Sequence, residues 1–394
     1  MEWMSGQSVT FPEGFVATGV AAHIKKNGQP DVCIVASTTP CLAAGVFTTN
    51  LVQAACVRLN KSHLQKSGGK VCGLVINSGN ANAVTGEQGE LAAKQTAQCL
   101  AEILKCAPEE ILVGSTGVIG VPLPYEKLAA GIVRAVPQLS ATGGMAAAHA
   151  IMTTDSKAKV AAAQSSRGYK WGGMAKGAGM IHPNMATLIS VVTTDAVVPA
   201  EFLDKAVREA SRKSFNRISI DGDTSTNDMF LVLANGASGI EANHAEFVRE
   251  LTEISINLAK QVVADGEGAT KLVSIKVQCA ASEADAERVA KTIATSALVK
   301  TALYGNDANW GRVLAAAGRS GATFDPALVS LRFDELVLLD TGTPVAFDES
   351  VALAVLKKDQ LEIVLNLAAG TGEAEVWTCD FSHEYVSVNA AYRT

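Results

Sequence analysis

The stretch Lys176-Gly-Ala-Gly-Met-Ile-His-Pro-Asn-Met-Ala-Thr187 runs directly into the apolar, β-branched segment Thr187-Leu-Ile-Ser-Val-Val-Thr-Thr194. The first part is a glycine-rich loop, and the second has the composition of a buried strand. If the Ala186–Thr187 peptide bond were cut, Thr187 would carry a free α-amine beside its hydroxyl. That pair is a self-contained base and nucleophile. The pattern alone, however, favours an ordinary threonine that opens a strand.

The composition indicates a compact protein with a large core. Of the 394 residues 48% are hydrophobic and 18% are charged, while aromatic residues make up only 5%. The net charge is −6 and no long basic run occurs, which argues against nucleic acid as a partner. The least charged long stretch, residues 111–125, is broken by glycine and proline and cannot cross a membrane as a helix. The first seven residues resemble neither a signal nor a transit peptide, so we expect a cytoplasmic protein.

The cysteines and histidines show no spacing typical of a metal site. No pair among the eight cysteines has C-x-x-C spacing, and the six histidines include no H-x-x-x-H pair. We therefore expect reduced, buried thiols that act as small hydrophobic side chains, and no metal. The acidic segment from Asp221 to Asp228 lacks the glycine and the terminal Glu of an EF-hand, so no metal is assigned there either.

Hydrophobic patterns predict strands and helices mixed along the chain. The predicted strands are Asp31–Ser37, Lys70–Asn77, Thr187–Ala196, Asp228–Asn235, Leu272–Cys279, Ala327–Asp340, Leu361–Leu367 and Ala374–Asp380. The predicted helices are residues 87–105, Pro124–Val136, Pro199–Arg212, Ala245–Ala264 and Ser282–Leu303. A capping box is expected at Thr85-Gly-Glu-Gln88, and residues 151–173 are expected to form an exposed hairpin or an irregular connection. The mixture predicts an α/β (α+β) protein with helices layered over sheets.

Several further motifs have restricted sequences. They are Asn77-Ser-Gly-Asn-Ala-Asn82, Gly114-Ser-Thr-Gly117, Asp221-Gly-Asp-Thr224, Asn306-Asp-Ala-Asn-Trp-Gly-Arg312 and the terminal Tyr385-Val-Ser-Val-Asn-Ala-Ala-Tyr-Arg-Thr394. Together with the stretch from Lys176 to Thr187, they make the whole chain resemble the ornithine acetyltransferase family (glutamate N-acetyltransferase), an enzyme family of arginine biosynthesis. Residues 309–312 could position substrate or begin a helix, and we favour the helix.

The resemblance implies a fold and an architecture. It implies an α-β-β-α-like core with a smaller C-terminal α/β domain. It also implies self-cleavage at Ala186–Thr187 into an α chain of residues 1–186 and a β chain of residues 187–394, with two of each in a heterotetramer.

The resemblance also assigns roles to individual residues. Thr187 would be the nucleophile that carries the acetyl group from N2-acetyl-L-ornithine to L-glutamate by a ping-pong mechanism. Thr116 and Gly117 would form the oxyanion hole. The substrate-binding residues implied by the resemblance are Thr153, Lys176, Thr187, Glu267, Asn389 and Thr394. Lys176 is the natural partner of a substrate carboxylate, and Glu267 would bind the substrate amino group.

Two alternative functions stay open at this stage. An N-terminal-nucleophile amidohydrolase or peptidase would use the same Thr187 and oxyanion hole but release acetate to water. An uncut binding protein would show one band near 41 kDa on a denaturing gel instead of two fragments. No cofactor is expected, and no residue decides whether acetyl-CoA serves as a second acetyl donor.

Overall fold

The computed structural model describes residues 1–182 and 188–391, and in them strands alternate with helices. The strands are β1 Glu2–Trp3, β2 Phe15–Val20, β3 Val32–Phe47, β4 Lys70–Asn80, β5 Ile111–Val118, β6 Lys159–Gln164, β7 Lys170–Lys176, β8 Ile189–Thr194, β9 Ile218–Ser219, β10 Met229–Ala234, β11 Leu272–Ala280, β12 Ser330–Phe333, β13 Leu336–Asp340, β14 Thr343–Pro344, β15 Gln360–Asn366 and β16 Gly372–Cys379.

The α-helices are, in chain order, α1 Ala55–Ser67, α2 Gly86–Leu104, α3 Tyr125–Ala135, α4 Gly144–Ala150, α5 Ala200–Lys213, α6 His244–Ala264, α7 Glu283–Ala294, α8 Ala297–Tyr304, α9 Trp310–Gly318, α10 Glu349–Leu356 and α11 His383–Ala390. Among the described residues, no helix combines the length and the apolar character needed to cross a bilayer.

The chain divides into two compact units. The larger comprises Met1–Asn216 and Asp223–Val262, and the smaller comprises Arg217–Gly222 and Val263–Thr394. Each unit has one sheet with helices packed against it. The expected fold class, α/β with helices layered over sheets and a smaller C-terminal unit, is confirmed. The cut predicted at residue 186 does not coincide with either unit boundary and stays a prediction.

The sheet of the larger unit has the strand order β1-β6-β7-β8-β10-β3-β4-β5, with β2 paired to β3. β8 and β10 run parallel, as do β4 and β5, whereas the other neighbours are antiparallel. Parallel β4 and β5 bring their carboxyl ends together, so Ser78 pairs with Thr116 and Gly79 with Gly117. All six residues of β8 are buried, which fits its lack of charged side chains and its β-branched residues Ile189, Val191, Val192, Thr193 and Thr194.

The sheet of the smaller unit has the order β14-β13-β12-β15-β11-β16-β9. Its central strand β11 alternates buried and half-buried side chains, and Val273, Ile275 and Val277 are fully buried. α7 packs on β11 and β16 and buries Val289 and Ile293, which lie one helical turn apart.

The long periodic elements are confirmed to within a few residues. In α6, every predicted core position is fully buried; these positions are Phe247, Leu251, Ile254, Leu258 and Val262. Residues 309–312 do begin a helix, since the Asn309 side chain accepts a hydrogen bond from Arg312 N at 3.1 Å. The first residue of the predicted strand Thr187–Ala196 lies outside the described residues, and the rest of the prediction contains β8, Ile189–Thr194.

Four details of the sequence prediction are wrong. The predicted helix Ser282–Leu303 is two helices, because Ser296 caps the start of α8 by accepting from Val299 N. The predicted strand Ala327–Asp340 contains a tight turn at Asp334, whose φ is +47°, between β12 and β13. Thr85 does not cap α2 with its side chain but donates to Asn82 Oδ1 at 2.8 Å. The hairpin β6–β7 lies between β1 and β8 in the sheet and is largely buried instead of exposed.

Candidate active site

Thr116 and Gly117 lie near the carboxyl end of β5, directly beside the carboxyl end of β4. Gly117 has φ +132°, a conformation that side chains rarely adopt. A Cβ at this position would lie 2.4 Å from the Gly79 carbonyl carbon and 2.6 Å from Asn80 N. Only glycine fits this backbone-to-backbone contact. Thr116, next to it, is buried.

Asparagine side chains fix the ends of these two strands by bonding to backbone carbonyls. Asn77 Nδ2 donates to Asn80 O at 2.9 Å, and its Oδ1 accepts from Ser115 Oγ at 2.7 Å. Asn227 Nδ2 donates to Ala81 O at 2.6 Å and to Ser115 O at 2.8 Å. Because these amides are buried and join segments far apart in the chain, they hold the loop that contains Thr116 in one conformation.

Asp155 connects three parts of the predicted substrate site. Its Oδ2 accepts from Thr153 N at 2.8 Å, and its Oδ1 accepts from Gly177 N at 2.7 Å and from Lys159 Nζ at 2.5 Å. The side chains of Asp155 and Lys159 are fully buried. Burial alone would raise the pKa of the Asp155 carboxyl, but the charges of Lys176 and Lys159 and the hydrogen bonds outweigh it and hold that pKa well below its usual value.

Lys176 is the last residue of β7 and is buried, whereas Thr153 is half-buried in the loop after α4. The positive charge of Lys176 acts on the carboxyls of Asp155 and Asp228. The lysine predicted to bind a substrate carboxylate therefore interacts electrostatically with two buried carboxyl groups of the protein, those of Asp155 and Asp228. Ser78 Oγ also donates to Ala150 O at 2.6 Å, which joins the end of β4 to the segment that leads to Thr153.

Lys25 is a site residue that the sequence analysis missed. A Cβ on Gly79 would lie 3.0 Å from Lys25 Cγ, so the lysine stem lies directly behind the contact between Gly79 and Gly117. Burial lowers the pKa of the Lys25 ammonium, the carboxylates of Asp31 and Asp155 oppose this, and the charge of Lys176 adds to it. Lys25 is therefore close to both groups of predicted residues, Thr116–Gly117 and the surroundings of Asp155 and Lys176.

Asp228 is a second such residue, placed directly before β10 and 2% exposed. In the described part of the chain, its Oδ2 atom has no hydrogen-bond partner. Burial raises the pKa of this carboxyl well above its usual value, against the hydrogen bond from Ser225, the charge of Lys176 and the hydrogen bond from Thr48.

Both flanks of residues 183–187 are hydrogen-bonded to residues 224–229, at and just before the start of β10. Thr224 Oγ1 donates to His182 O at 2.9 Å, and Met229 N donates to Leu188 O at 2.9 Å. The predicted cleavage residues Ala186 and Thr187 lie outside the described residues. The acidic segment to which Thr224 belongs thus bonds to one flank of the predicted cleavage loop, and the first residue of β10 bonds to the other.

In the smaller unit, two predicted substrate-binding residues contact each other. Asn389 Nδ2, on α11, donates to Glu267 Oε2 at 2.7 Å and to Tyr385 O at 2.9 Å. Glu267 follows α6 in a turn where Gly268 has φ +70°, and a Cβ there would lie 2.4 Å from Ser382 Oγ. The turn therefore packs closely against the start of α11. The predicted residue Thr394 lies outside the described residues.

Comparison with known proteins gives full-length matches. A sequence profile of the ArgJ family matches residues 16–394. The chain is 51% identical over 405 aligned positions to the arginine biosynthesis bifunctional protein ArgJ of Symbiobacterium thermophilum, with 100% of both chains covered. It is 47% identical over 406 positions to the protein of the same name from Gloeobacter violaceus, covering 100% of this chain and 99% of that one.

A solved structure is also similar. The crystal structure of the arginine biosynthesis bifunctional protein ArgJ from Bacillus halodurans aligns with a TM-score of 0.50 and 42% identity. The alignment covers 51% of this chain and 98% of that chain. The matched crystal chain is therefore about half as long as the present one.

Proposed function

Because the chain belongs to the ArgJ family, as the profile match over residues 16–394 shows, we propose that it transfers an acetyl group from N2-acetyl-L-ornithine to L-glutamate. This is the reaction implied by the resemblance of the sequence motifs. The predicted family, and with it the predicted class of arginine-biosynthesis enzyme, is confirmed. The self-cleavage, the acetyl-threonine intermediate and the roles of single residues are parts of the proposal.

One observation carries the proposal: groups suited to acyl transfer converge in the larger unit. The buried Thr116 and the tightly packed Gly117 offer a hydroxyl and a backbone N–H. The side chain of Lys25 packs against Gly79, the residue paired with Gly117, and interacts electrostatically with Asp155 and Lys176. A rigid pair of donors beside a cluster of cations suits the oxyanion of an acyl transfer and the α-carboxylate of an amino-acid substrate.

Cleavage is the first proposed step. Thr187 Oγ1 attacks the carbonyl carbon of Ala186, the C–N bond breaks, and the hydroxyl proton ends on the leaving nitrogen. Water hydrolyses the ester that results, which leaves a carboxylate on Ala186 and a free amine and hydroxyl on Thr187. The half-length crystal chain of the Bacillus halodurans relative supports a cut near the middle.

Acetyl transfer follows in two halves. The Thr187 amine, whose ordinary pKa is about 8, takes the hydroxyl proton while Oγ1 attacks the acetyl carbonyl of N2-acetyl-L-ornithine. The C–N bond breaks, the proton passes to the leaving amine of ornithine, and the acetyl group stays on Oγ1. The amine of glutamate then attacks this ester and restores Thr187. Thr116 Oγ1 and Gly117 N would donate to each oxyanion, and one such donor is typically worth about 3 kcal/mol.

Substrate recognition follows from charge. Both substrates carry an α-carboxylate, for which Lys176 is the proposed partner, with Thr153 fixed beside it by Asp155. Glu267 is proposed to bind an amino group, with Asn389 holding its carboxylate. Thr394 completes the proposed set of substrate contacts.

We further propose that no cofactor takes part, because the amine and hydroxyl of Thr187 supply the base and the nucleophile. Acetyl-CoA is proposed as a second donor, which fits the word bifunctional in the names of the relatives. The cut protein is proposed to assemble as two α and two β chains in the cytoplasm.

The test compares the wild type with Thr187→Ala and Thr187→Ser. Intact mass under denaturing conditions and N-terminal sequencing should find two wild-type fragments, one of which begins at Thr187. Thr187→Ala should stay whole and transfer no acetyl, whereas Thr187→Ser keeps a hydroxyl and should still be cut. An unbroken wild-type chain that transfers acetyl would contradict the proposal.

The kinetics separate the acetyltransferase from the alternatives. Varying both substrates together should give parallel double-reciprocal lines, as a ping-pong mechanism requires. Converging lines would exclude the covalent intermediate. Labelled acetyl that appears as free acetate even with glutamate present would identify an amidohydrolase instead.

A further inference from the structure

Two thiols and a carboxylate from three separate segments meet at the opposite end of β4 from the candidate active site. The residues are Cys72 in β4, Cys106 after α2, and Glu110 at the end of the 3-10 turn Pro108–Glu110. Their ligand atoms, two Sγ and one carboxylate oxygen, all lie within 4.8 Å of one another. None of them belongs to the proposed acetyl-transfer machinery.

Local structure explains why the three side chains converge. β4 and β5 are parallel with Gly73 paired to Ile111, so the register places the preceding residues, Cys72 and Glu110, side by side. At the end of α2, Lys105 takes a left-handed conformation with φ +59°, and Cys106 N donates to Ala101 O at 3.1 Å. This turn brings Cys106 back to the start of β4.

The distances suit a tetrahedral metal ion. Cys72 Sγ lies 3.6 Å from Glu110 Oε2, and the Sγ atoms of Cys72 and Cys106 lie within 4.8 Å of each other. With Zn–S bonds of about 2.3 Å and Zn–O bonds of about 2.0–2.2 Å, neighbouring ligand atoms of a zinc tetrahedron are about 3.5–3.8 Å apart. The carboxylate is also oriented, since Ala107 N donates to Glu110 Oε2 at 3.1 Å.

The charges and the access also fit a cation. Three groups that carry negative charge when deprotonated face one another, and a divalent ion would replace the thiol protons. Cys72 and Glu110 line a cavity of about 610 Å³, which leaves room for a water molecule as the fourth ligand.

We propose that Cys72, Cys106 and Glu110 bind a thiophilic divalent cation of the zinc type. From Cys72 to Gly79 the strand rises about 23 Å at about 3.3 Å per residue, so the ion would lie far from the acyl-transfer residues. Its role is structural: it would tie the start of β4 to the end of α2 and the entry to β5. Activity of the enzyme does not depend on it.

The test uses the full chain, purified with a reductant, treated with a chelator and titrated with Co²⁺ and then Zn²⁺. One equivalent of Co²⁺ should give thiolate-to-cobalt charge-transfer absorption and the visible bands of tetrahedral cobalt, and Zn²⁺ should abolish both. Zinc should also raise the melting temperature, since a ligand that binds only the folded state stabilises it.

The variants Cys72→Ser, Cys106→Ser and Glu110→Gln identify the ligands. Each should weaken zinc binding by more than about 10-fold, the lower limit seen even for residues that only support a ligand. Cys99→Ser removes another half-buried thiol, on α2, and should bind zinc like the wild type. Acetyl transfer should be unchanged in all four, which separates this proposal from the proposed function.

Two outcomes would overturn the site. The first is a folded wild type, with its normal melting curve, that shows no thiolate–cobalt absorption. The second is a combination of two results: a Cys72–Cys106 disulfide forms readily in air, and the reduced wild type binds zinc no more tightly than Cys72→Ser does. That result would make the two thiols a redox pair and not a metal site.

Discussion

At the scale of single residues, Asp155 and Asp228 respond to burial in opposite ways. Asp155 is surrounded by donors and cations that hold its pKa below the usual value of 3.8, whereas burial raises the pKa of Asp228 well above that value. A depressed carboxyl pKa contributes stability above pH 3.8 that is lost on acidification. A raised one contributes stability below pH 3.8 that is lost as the pH rises through the folded-state pKa.

Asp155→Asn should destabilise the protein at neutral pH. The change breaks a fully buried ion pair with Lys159 and leaves the ammonium without its anion, which typically costs about 3–5 kcal/mol. The melting temperature at pH 7 should fall by several degrees. The difference from the wild type should shrink as the pH drops below 3.8, because the carboxyl of the unfolded wild type then binds a proton while the folded-state carboxylate, with its lower pKa, stays charged.

The matched control is Asp204→Asn, which breaks the ion pair with Arg208 on α5. There the side chains are 47% and 57% exposed. Exposed pairs are worth about 0–1 kcal/mol, so the melting temperature should hardly change. Equal effects of the two substitutions would mean that Asp155 is not the buried connection described above.

Asp228→Asn should have the opposite dependence on pH. The variant cannot ionise, so it avoids the cost of charging a buried carboxyl whose Oδ2 atom has no partner in the described part of the chain. Between pH 4 and pH 8 the wild type should lose stability relative to the variant, at no more than about 1.4 kcal/mol per pH unit. Melting curves of both proteins across this range measure the difference, and a constant difference would contradict the raised pKa.

Single site residues were predictable only where a motif named them. Lys25 looks like a solvated lysine in the sequence, since nothing near it in the chain shows that its stem packs against Gly79. Asp155 likewise reads as a polar residue after Thr153. Its role depends on Gly177 N and Lys159 Nζ, which reach it only after β6 and β7 have folded. Lys25 and Asp155 gain these contacts only through the tertiary fold, so no local sequence pattern identifies them as site residues.

At the scale of elements, hydrophobic patterns predicted amphipathic helices and apolar strands and failed where strands are built from small residues. α6 was predicted closely because its five core positions recur at helical spacing. β6 and β7 were predicted only as an exposed hairpin or an irregular connection, because Ala161–Ala163 and Gly172–Gly173 have little strand propensity. They are strands because neighbours on both sides supply hydrogen bonds and burial.

The proposed metal ligands illustrate the same limitation. Spacing rules detect ligands that lie close together in the chain, such as C-x-x-C. Cys72 and Glu110 are brought together by the register of two parallel strands, and Cys106 by a helix end. Such a cluster is visible only after the strands have been paired.

Gly117→Ala tests whether the contact between β4 and β5 shapes the candidate oxyanion loop. The new Cβ would lie 2.4 Å from a backbone carbon of Gly79, so the two strand ends must separate. We expect kcat/KM for acetyl transfer to fall by about 100- to 1,000-fold, the usual cost of one lost oxyanion donor. Initial-rate kinetics on the folded variant measure the effect.

Gly120→Ala is the control for this experiment. Gly120 also has a positive φ, +79°, but an added Cβ there meets no atom within 4 Å. The Gly120→Ala variant should be destabilised only slightly, by the strain of an alanine at that φ, and its kinetics should be nearly those of the wild type. If Gly117→Ala were as active as Gly120→Ala, the proposed donor role of Gly117 would be wrong.

At the scale of the whole molecule, the proposed cut at residue 186 divides the chain but not the sheet of the larger unit. β7 comes before the cut and β8 after it, and the two are joined by six residue pairs. β3 and β10 are joined by six further pairs, again with one strand from each side. Because both ladders lie within one sheet, each fragment supplies the hydrogen-bond partners of the other.

Cleavage should therefore leave the two fragments associated. In native gel filtration, residues 1–186 and 187–394 should elute together at the volume of the uncut Thr187→Ala variant, and only a denaturant should separate them. Fragments expressed apart should expose the unpaired edges of β7, β8, β3 and β10, and each should aggregate when alone. Mixing the two during refolding should restore a soluble complex. Fragments that separate without denaturant would show that these ladders do not hold the cut protein together.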